Sequence, residues 1–205
     1  TQGTLLLGNH TSYLDWLVLQ IACPRPIRFV MAKPIYNLWY FKWILKRFNV
    51  IPIASGQSKS SLQAIEEALN DNAVIALFPE GQLSQNGHLS TFKKGFELAC
   101  KNTAATIIPF YIKGLWGSKL SRATDTFKEK IKATRKRPLS VTFGAALPST
   151  TTAPELKQKV TELSVDVWKS YTQSFNSIPE EWINVAKNNT KAISIIDNTN
   201  TPLSN

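Results

Sequence analysis

The chain has 205 residues, 43% of them hydrophobic, enough to fill one α/β-sized core in a single domain. Its 24 Lys and Arg against 14 Asp and Glu leave a net charge of +10, which suits anionic partners: nucleic acid, anionic lipid headgroups, acidic carrier proteins or cofactors. Two widely spaced cysteines, Cys23 and Cys100, exclude a disulfide framework, and the longest apolar runs fall far short of the roughly 20 residues of a membrane span.

In chain order, Thr4–Leu7 opens as a short β-rich run, and Tyr13–Ala22 follows with helical periodicity. Ile27–Met31 reads as a strand, Tyr36–Phe48 as an aromatic and basic helix, and Val50–Ile53 as a third strand. Ser60–Asn70 is helical, with Ser58 to Ser61 as N-cap candidates; Ala73–Phe78 is the most apolar strand. Thr91–Lys101 reads as helix, Thr106–Ile112 as strand, Phe127–Arg137 as a basic, loosely helical stretch and Leu139–Gly144 as a last strand. Pro154–Phe175 closes the domain as an amphipathic helix. This βαβα alternation predicts an α/β fold, a mostly parallel sheet flanked by helices.

The chain begins on Thr1 without a cleavable signal and runs straight into a strand, which reads as a domain excised from a longer parent. Residues 1–177 are taken as the domain. Residues 178–205, whose end is rich in Asn, Thr and Ser, are taken as a linker leading towards a further domain.

Ligand chemistry on a parallel sheet collects beyond the carboxyl ends of its strands. Those ends read Asn9-His10, Ala32-Lys33, Ala54-Ser55-Gly56, Pro79-Glu80-Gly81 and Lys113-Gly114. One edge thus gathers a histidine, a glutamate and two lysines. Asp15 follows His10 after four residues; capped by Ser12, the helix would bring Asp15 back to the imidazole. An aspartate on one ring nitrogen fixes the tautomer and stabilises the imidazolium formed when the other takes a proton. Such general-base help is worth roughly 10²–10⁴-fold in rate. Ser12-x-x-Asp15 is equally a capping-box pattern, and this motif alone leaves both readings open.

Further motifs follow in order: Phe78-Pro79-Glu80-Gly81, Phe92-Lys93-Lys94-Gly95 and Ile108-Pro109-Phe110. Together with His-x4-Asp they resemble the glycerolipid acyltransferase family over roughly residues 4–150. The resemblance implies an O-acyltransferase of bacterial phospholipid biosynthesis and remodelling. His10 would be the general base and Asp15 its orienting partner, with direct attack on a thioester and no acyl-enzyme. Glu80 and Gly81 would shape the acceptor pocket, Pro109 its far wall, and Lys33 would match a recurrent lysine near the acceptor. Lys93 and Lys94 would add point charges. No metal and no resident cofactor is implied; acyl carrier protein or coenzyme A brings the acyl group as a thioester co-substrate.

Two departures bear on the acceptor. Members that bind a free phosphomonoester carry an arginine near the end of the third strand, but residues 50–56 hold none. Phe-Pro-Glu-Gly-Thr-Arg-Ser becomes Phe78-Pro79-Glu80-Gly81-Gln82-Leu83-Ser84, so a second arginine is missing. Arginine is the usual bidentate partner of such a dianion. The expected acceptor is therefore lysophosphatidylethanolamine, with lysophosphatidate or glycerol 3-phosphate as alternatives. Within the family the chain is similar to acyltransferase domains of bacterial 2-acylglycerophosphoethanolamine acyltransferase / acyl-carrier-protein synthetases. In these, an acyl-activating domain is fused to the acyltransferase, sometimes with a lysophospholipid transporter upstream. The implied location is the cytoplasmic face of the bacterial inner membrane, with Tyr36–Phe48 touching the membrane surface.

The competing readings are a nucleic-acid module, a silent lipid-binding relative and a thioester hydrolase. The basic run Lys128 to Arg137 lacks an accompanying zinc-finger or RNA-binding signature, so no nucleic-acid partner is expected. No Gly-x-Ser-x-Gly elbow, dinucleotide fingerprint or P-loop occurs. His88, in a polar loop, reads as a surface residue.

Overall fold

The computed structural model describes residues 2–32, 50–53, 58–133, 138–173, 177–188, 193–196 and 202–204. It contains β1 (Thr4–Gly8), α1 (Asp15–Ala22), β2 (Ile27–Ala32), β3 (Ile51–Ile53), α2 (Ser58–Asn70), β4 (Val74–Leu77) and α3 (Gly95–Cys100). After these come β5 (Thr106–Lys113), α4 (Asp125–Ala133), β6 (Ser140–Phe143), α5 (Ala153–Thr172), α6 (Ile178–Asn188), β7 (Ile193–Ile196) and β8 (Pro202–Ser204). The helix expected over Tyr36–Phe48 and the strand ends at Lys33 and 54–56 lie outside the described residues.

Six strands form one sheet in the order β3-β2-β4-β1-β5-β6. All neighbours run parallel except β6, which is antiparallel to β5. The fold is thus a mostly parallel sheet flanked by helices. Its two faces are read directly from the period of two in the strands. In β1, Leu5 and Leu7 join one core with Ile65 and Leu69 of α2, Phe96 and Ala99 of α3, and Leu156 and Val160 of α5. Leu6 points the other way, into a second core with Leu19 of α1, Ile27, Phe29, Phe110 and Ile112. A strand buried on both faces needs a continuous apolar run rather than an alternating one, as Thr4–Leu7 and Val74–Leu77 supply.

Two compact units divide the chain at Val165/Asp166. The first holds the sheet. The second, 166–205, holds the end of α5, helix α6 and the antiparallel pair β7–β8. The stretch read from composition as a linker therefore contains a helix and a two-stranded pairing. Among the described residues no helix is long and apolar enough to cross a membrane.

Candidate active site

Strands β4, β1 and β5 are adjacent and parallel, so their carboxyl ends bring Pro79-Glu80-Gly81, Asn9-His10 and Lys113-Gly114 to one edge. Gly8 closes β1 against Phe110: a Cβ there would meet the Phe110 carbonyl oxygen at 2.3 Å and its ring at 2.5 Å. Only glycine lets the chain pass this point. Asn9 then extends the pairing by side chain. Its Nδ2 donates to the Ile112 carbonyl at 2.8 Å, and its Oδ1 accepts from the Ile112 N–H at 2.7 Å. Both backbone groups of Ile112 are satisfied without another β1 residue, and β1 is free to turn outward at His10.

The His10 side chain is 21% exposed, and its Nδ1 lies 2.8 Å from Oδ2 of Asp15, which is fully buried. The same Oδ2 accepts from the N–H groups of Thr11 at 2.6 Å and Ser12 at 3.0 Å, and Oδ1 from the Thr11 hydroxyl at 3.3 Å. Four donors, together with the amino end of α1, offset the cost of burying this carboxylate. The two uses of Asp15 coexist: it ties down the backbone before α1 and holds the imidazole. Ser12 is not a conventional cap, since its hydroxyl accepts from the Leu14 N–H at 3.2 Å and the helix starts at Asp15. A carboxylate on Nδ1 requires the proton there, leaving the Nε2 lone pair outward with no partner among the described residues.

The His10 backbone is clamped from the other side. Its N–H donates to Glu80 Oε1 at 2.9 Å, and its carbonyl accepts from the Ser84 N–H at 2.8 Å. The second oxygen of Glu80 accepts from the Ser90 N–H at 3.1 Å and the Ser90 hydroxyl at 2.6 Å. Phe78 stacks on the imidazole at 4.0 Å and 15° and meets Phe110 edge-on. The ring therefore has an apolar floor, a buried carboxylate on one nitrogen and an open second nitrogen.

Gly81 ends the turn that begins at Phe78, its N–H bonded to the Phe78 carbonyl at 3.0 Å, with φ of 71°. A Cβ there would be strained and would lie 2.6 Å from the Lys93 ammonium. Lys93 is tied to the same turn through its N–H on the Pro79 carbonyl at 2.9 Å. His10, Asp15, Glu80, Gly81 and Lys93 thus form one cluster. The described contacts do not tie Lys94 or Pro109 to it. Lys94 is exposed at the start of α3, and Pro109 is buried inside β5, beside Leu7 and against Gly144. Lys33 is outside the described residues. His88 is exposed, and its backbone shapes the 84–90 loop through Ser84 and Asn86.

Sequence reasoning did not name Ser90, and it named Asn9 and Ser84 only as members of a strand end and a motif, without a role. Their bonds span large separations or a polar loop without a spacing signature; Gly8 and Asn9, flanking the strand end, were the available signal. Burial lowers Lys113 below the ordinary lysine range and pushes the Cys100 thiol up to about 11.

A central strand ending in a carboxylate-oriented histidine, with a glutamate from the neighbouring strand holding its backbone, places the domain among α/β proteins with a His-x4-Asp centre. The family described as Acyltransferase matches residues 1–113, and the chain belongs to that family. It is 26% identical over 111 residues to the chloroplastic 1-acyl-sn-glycerol-3-phosphate acyltransferase of Arabidopsis thaliana, covering 53% of this chain and 31% of that protein. With the probable 1-acyl-sn-glycerol-3-phosphate acyltransferase of Mycoplasma pneumoniae it is 24% identical over 182 residues, 85% of this chain and 66% of the relative. The chain spans about a third of the length of the plant relatives. The crystal structure of the 1-acyl-sn-glycerophosphate acyltransferase PlsC from Thermotoga maritima shares the fold: TM-score 0.63, 16% identity, 86% of this chain and 69% of that one.

Proposed function

We propose that this chain transfers a fatty-acyl group from a thioester to a hydroxyl of a lysophospholipid, with His10 as general base. The observation that carries the reading is the buried Asp15 on His10 Nδ1, which leaves Nε2 facing outward as an acceptor. The acceptor hydroxyl donates its hydrogen bond to Nε2 and attacks the thioester carbonyl carbon as its proton moves to the ring. Asp15 stabilises the imidazolium so formed. Collapse of the tetrahedral intermediate breaks the C–S bond, and the imidazolium returns the proton to the departing sulfur. Atoms balance without an acyl-enzyme and without a resident cofactor. Glu80 acts in this scheme by holding the His10 backbone.

For the acceptor, lysophosphatidate stands ahead of lysophosphatidylethanolamine. The relatives named above act, by name, on 1-acyl-sn-glycerol 3-phosphate, and the Lys93 ammonium beside Gly81 offers a phosphate a cation near the turn. The reading in favour of a substituted headgroup rests on the missing arginines at 50–56 and on Gln82-Leu83. Acyl carrier protein suits the +10 charge as donor, coenzyme A less distinctively. The domain would work at the cytoplasmic face of a bacterial inner membrane, alone or fused to transporter and acyl-activating domains.

The test is kcat/KM for lysophosphatidate, lysophosphatidylethanolamine and glycerol 3-phosphate with radiolabelled acyl thioester. Preference for lysophosphatidate that Lys93→Ala selectively erodes supports the reading. Preference for lysophosphatidylethanolamine reverses the acceptor assignment, and release of free acid without acceptor dependence replaces transfer by hydrolysis.

A further inference from the structure

Helix α1, sequence DWLVLQIA, is apolar all round, the pattern of a helix covered on every side. Its two polar residues are turned inward. Asp15 is buried on His10, and Gln20 is spent on the following turn, accepting from the Ile27 N–H at 2.9 Å and donating to the Arg25 carbonyl at 3.2 Å. What faces out is apolar: Leu17 is 38% exposed and Ile21 77%, one helical turn apart, with Tyr13 at 49% a turn before Leu17. Leu120, 46% exposed, adjoins this stripe, because its carbonyl accepts from the Tyr13 N–H at 3.0 Å in the bridge that pairs Ser12 with Ser121. Lys119 and Arg122, both exposed, flank Leu120. The only acidic residue in 9–31 is the buried Asp15, and 114–124 contains none; the next, Asp125, lies 3.4 Å from the Lys128 ammonium.

We infer that Tyr13, Leu17, Ile21 and Leu120, flanked by Lys119 and Arg122, form a docking surface for an anionic bilayer. Apolar side chains standing out of a helix whose polar groups point inward require a non-aqueous partner. Two exposed cations beside the stripe match that partner to an anionic headgroup layer. The patch begins three residues after His10, so docking brings the open imidazole edge to the surface from which a lipid acceptor must be drawn. The inference rests on the lipid-acceptor reading above for its purpose, but the binding itself is a separate observable.

The experiment is sedimentation of the chain with vesicles of equal parts phosphatidylcholine and phosphatidylglycerol, and with phosphatidylcholine alone. Wild type is compared with the double variant Ile21→Asp/Leu120→Asp and with Lys119→Glu/Arg122→Glu. Thermal melting checks that each remains folded; the changed side chains are exposed. Wild type should bind the anionic vesicles, and the apolar variant should partition on the order of tenfold more weakly or worse. The charge variant should lose the preference for phosphatidylglycerol. Acyl transfer to acceptor embedded in vesicles should fall with binding, while transfer to a short-chain acceptor below its micellar concentration should not. His10→Ala should bind vesicles as wild type does, so vesicle binding by a chain without transfer activity would fault the function and leave the docking surface standing. Folded double variants that sediment like wild type would overturn the inference. So would a wild-type dimer that the Ile21 change dissociates, without vesicle binding, since the patch would then cover a second copy of the chain.

Discussion

Glu80→Gln is the sharpest test of how the site is built. Glu80 is 3% exposed, and both its oxygens act only as acceptors: Oε1 for the His10 N–H, Oε2 for the N–H and hydroxyl of Ser90. A glutamine offers one acceptor and one donor. In either flip its amide nitrogen faces a backbone donor, stranding the N–H of His10 or that of Ser90. A buried donor without a partner costs about 1–3 kcal/mol, and the loss of charge assistance on the remaining bonds adds to it, for about 2–4 kcal/mol in all. In a unit of this size that corresponds to a fall in Tm of roughly 5–15 °C. Ser90→Ala removes only the hydroxyl donor and should cost about 1 kcal/mol. Combined with Glu80→Gln, it should add less than its own cost, because the two changes share one set of bonds. Calorimetry or circular dichroism melts measure this without any assumption about activity. A Glu80→Gln chain that melts within about 1 °C of wild type would refute the clamp.

Other perturbations follow from the same contacts. Gly8→Ala, whose Cβ would strike the Phe110 backbone and ring, should cost about 1–3 kcal/mol in urea unfolding. Gly81→Ala should cost about 1 kcal/mol, from its positive φ, because the Lys93 side chain can swing aside; equal costs would contradict this ranking. Iodoacetamide near neutral pH should label Cys23 and spare Cys100, whose thiol burial holds at about 11, with peptide mass mapping as readout. Because that folded value lies above the ordinary 9.0, the stability Cys100 contributes is complete below 9.0 and is lost as pH rises towards about 11. At the start of α5, the N–H and hydroxyl of Thr152 bond Glu155 at 2.8 and 2.9 Å and hold its carboxyl below the ordinary range. Its contribution is present above the unfolded value and lost as pH falls through the depressed folded one. Glu155→Gln should therefore melt below wild type near neutrality, and the gap should close in acid.

The sheet was legible because its strands are buried on both faces and their apolar runs stop at turn residues; observed strand ends differ by at most one position. The Thr91–Lys101 helix shortened to Gly95–Cys100 because Lys93 donates its N–H to Pro79 and holds the preceding residues out of the helix. Ser58 to Ser61, offered as caps, lie inside α2, since the helix begins at Ser58. Abundant Asn, Thr and Ser along 188–205 obscured the Ile193–Ile196 pairing, and the short Ile178–Asn188 helix before it was grouped with that polar stretch. At the site, the His10–Asp15 contact was legible because it is local, five positions apart on a strand-to-helix turn. Glu80 on the His10 backbone depends on β1 and β4 lying side by side, a pairing across 70 residues that no local pattern carries. Asn9 bridging to Ile112 is of the same kind, across 103 residues.

The central claim is that His10, oriented by Asp15, takes the acceptor proton. It is tested most directly by the single-turnover rate of acyl transfer from radiolabelled thioester to lysophospholipid, comparing wild type with folded His10→Ala and Asp15→Asn. The account predicts a loss of roughly 10²–10⁴-fold in His10→Ala and a substantial loss in Asp15→Asn, with product absent when acceptor is omitted. A folded His10→Ala chain that transfers acyl groups within about threefold of wild type would contradict it.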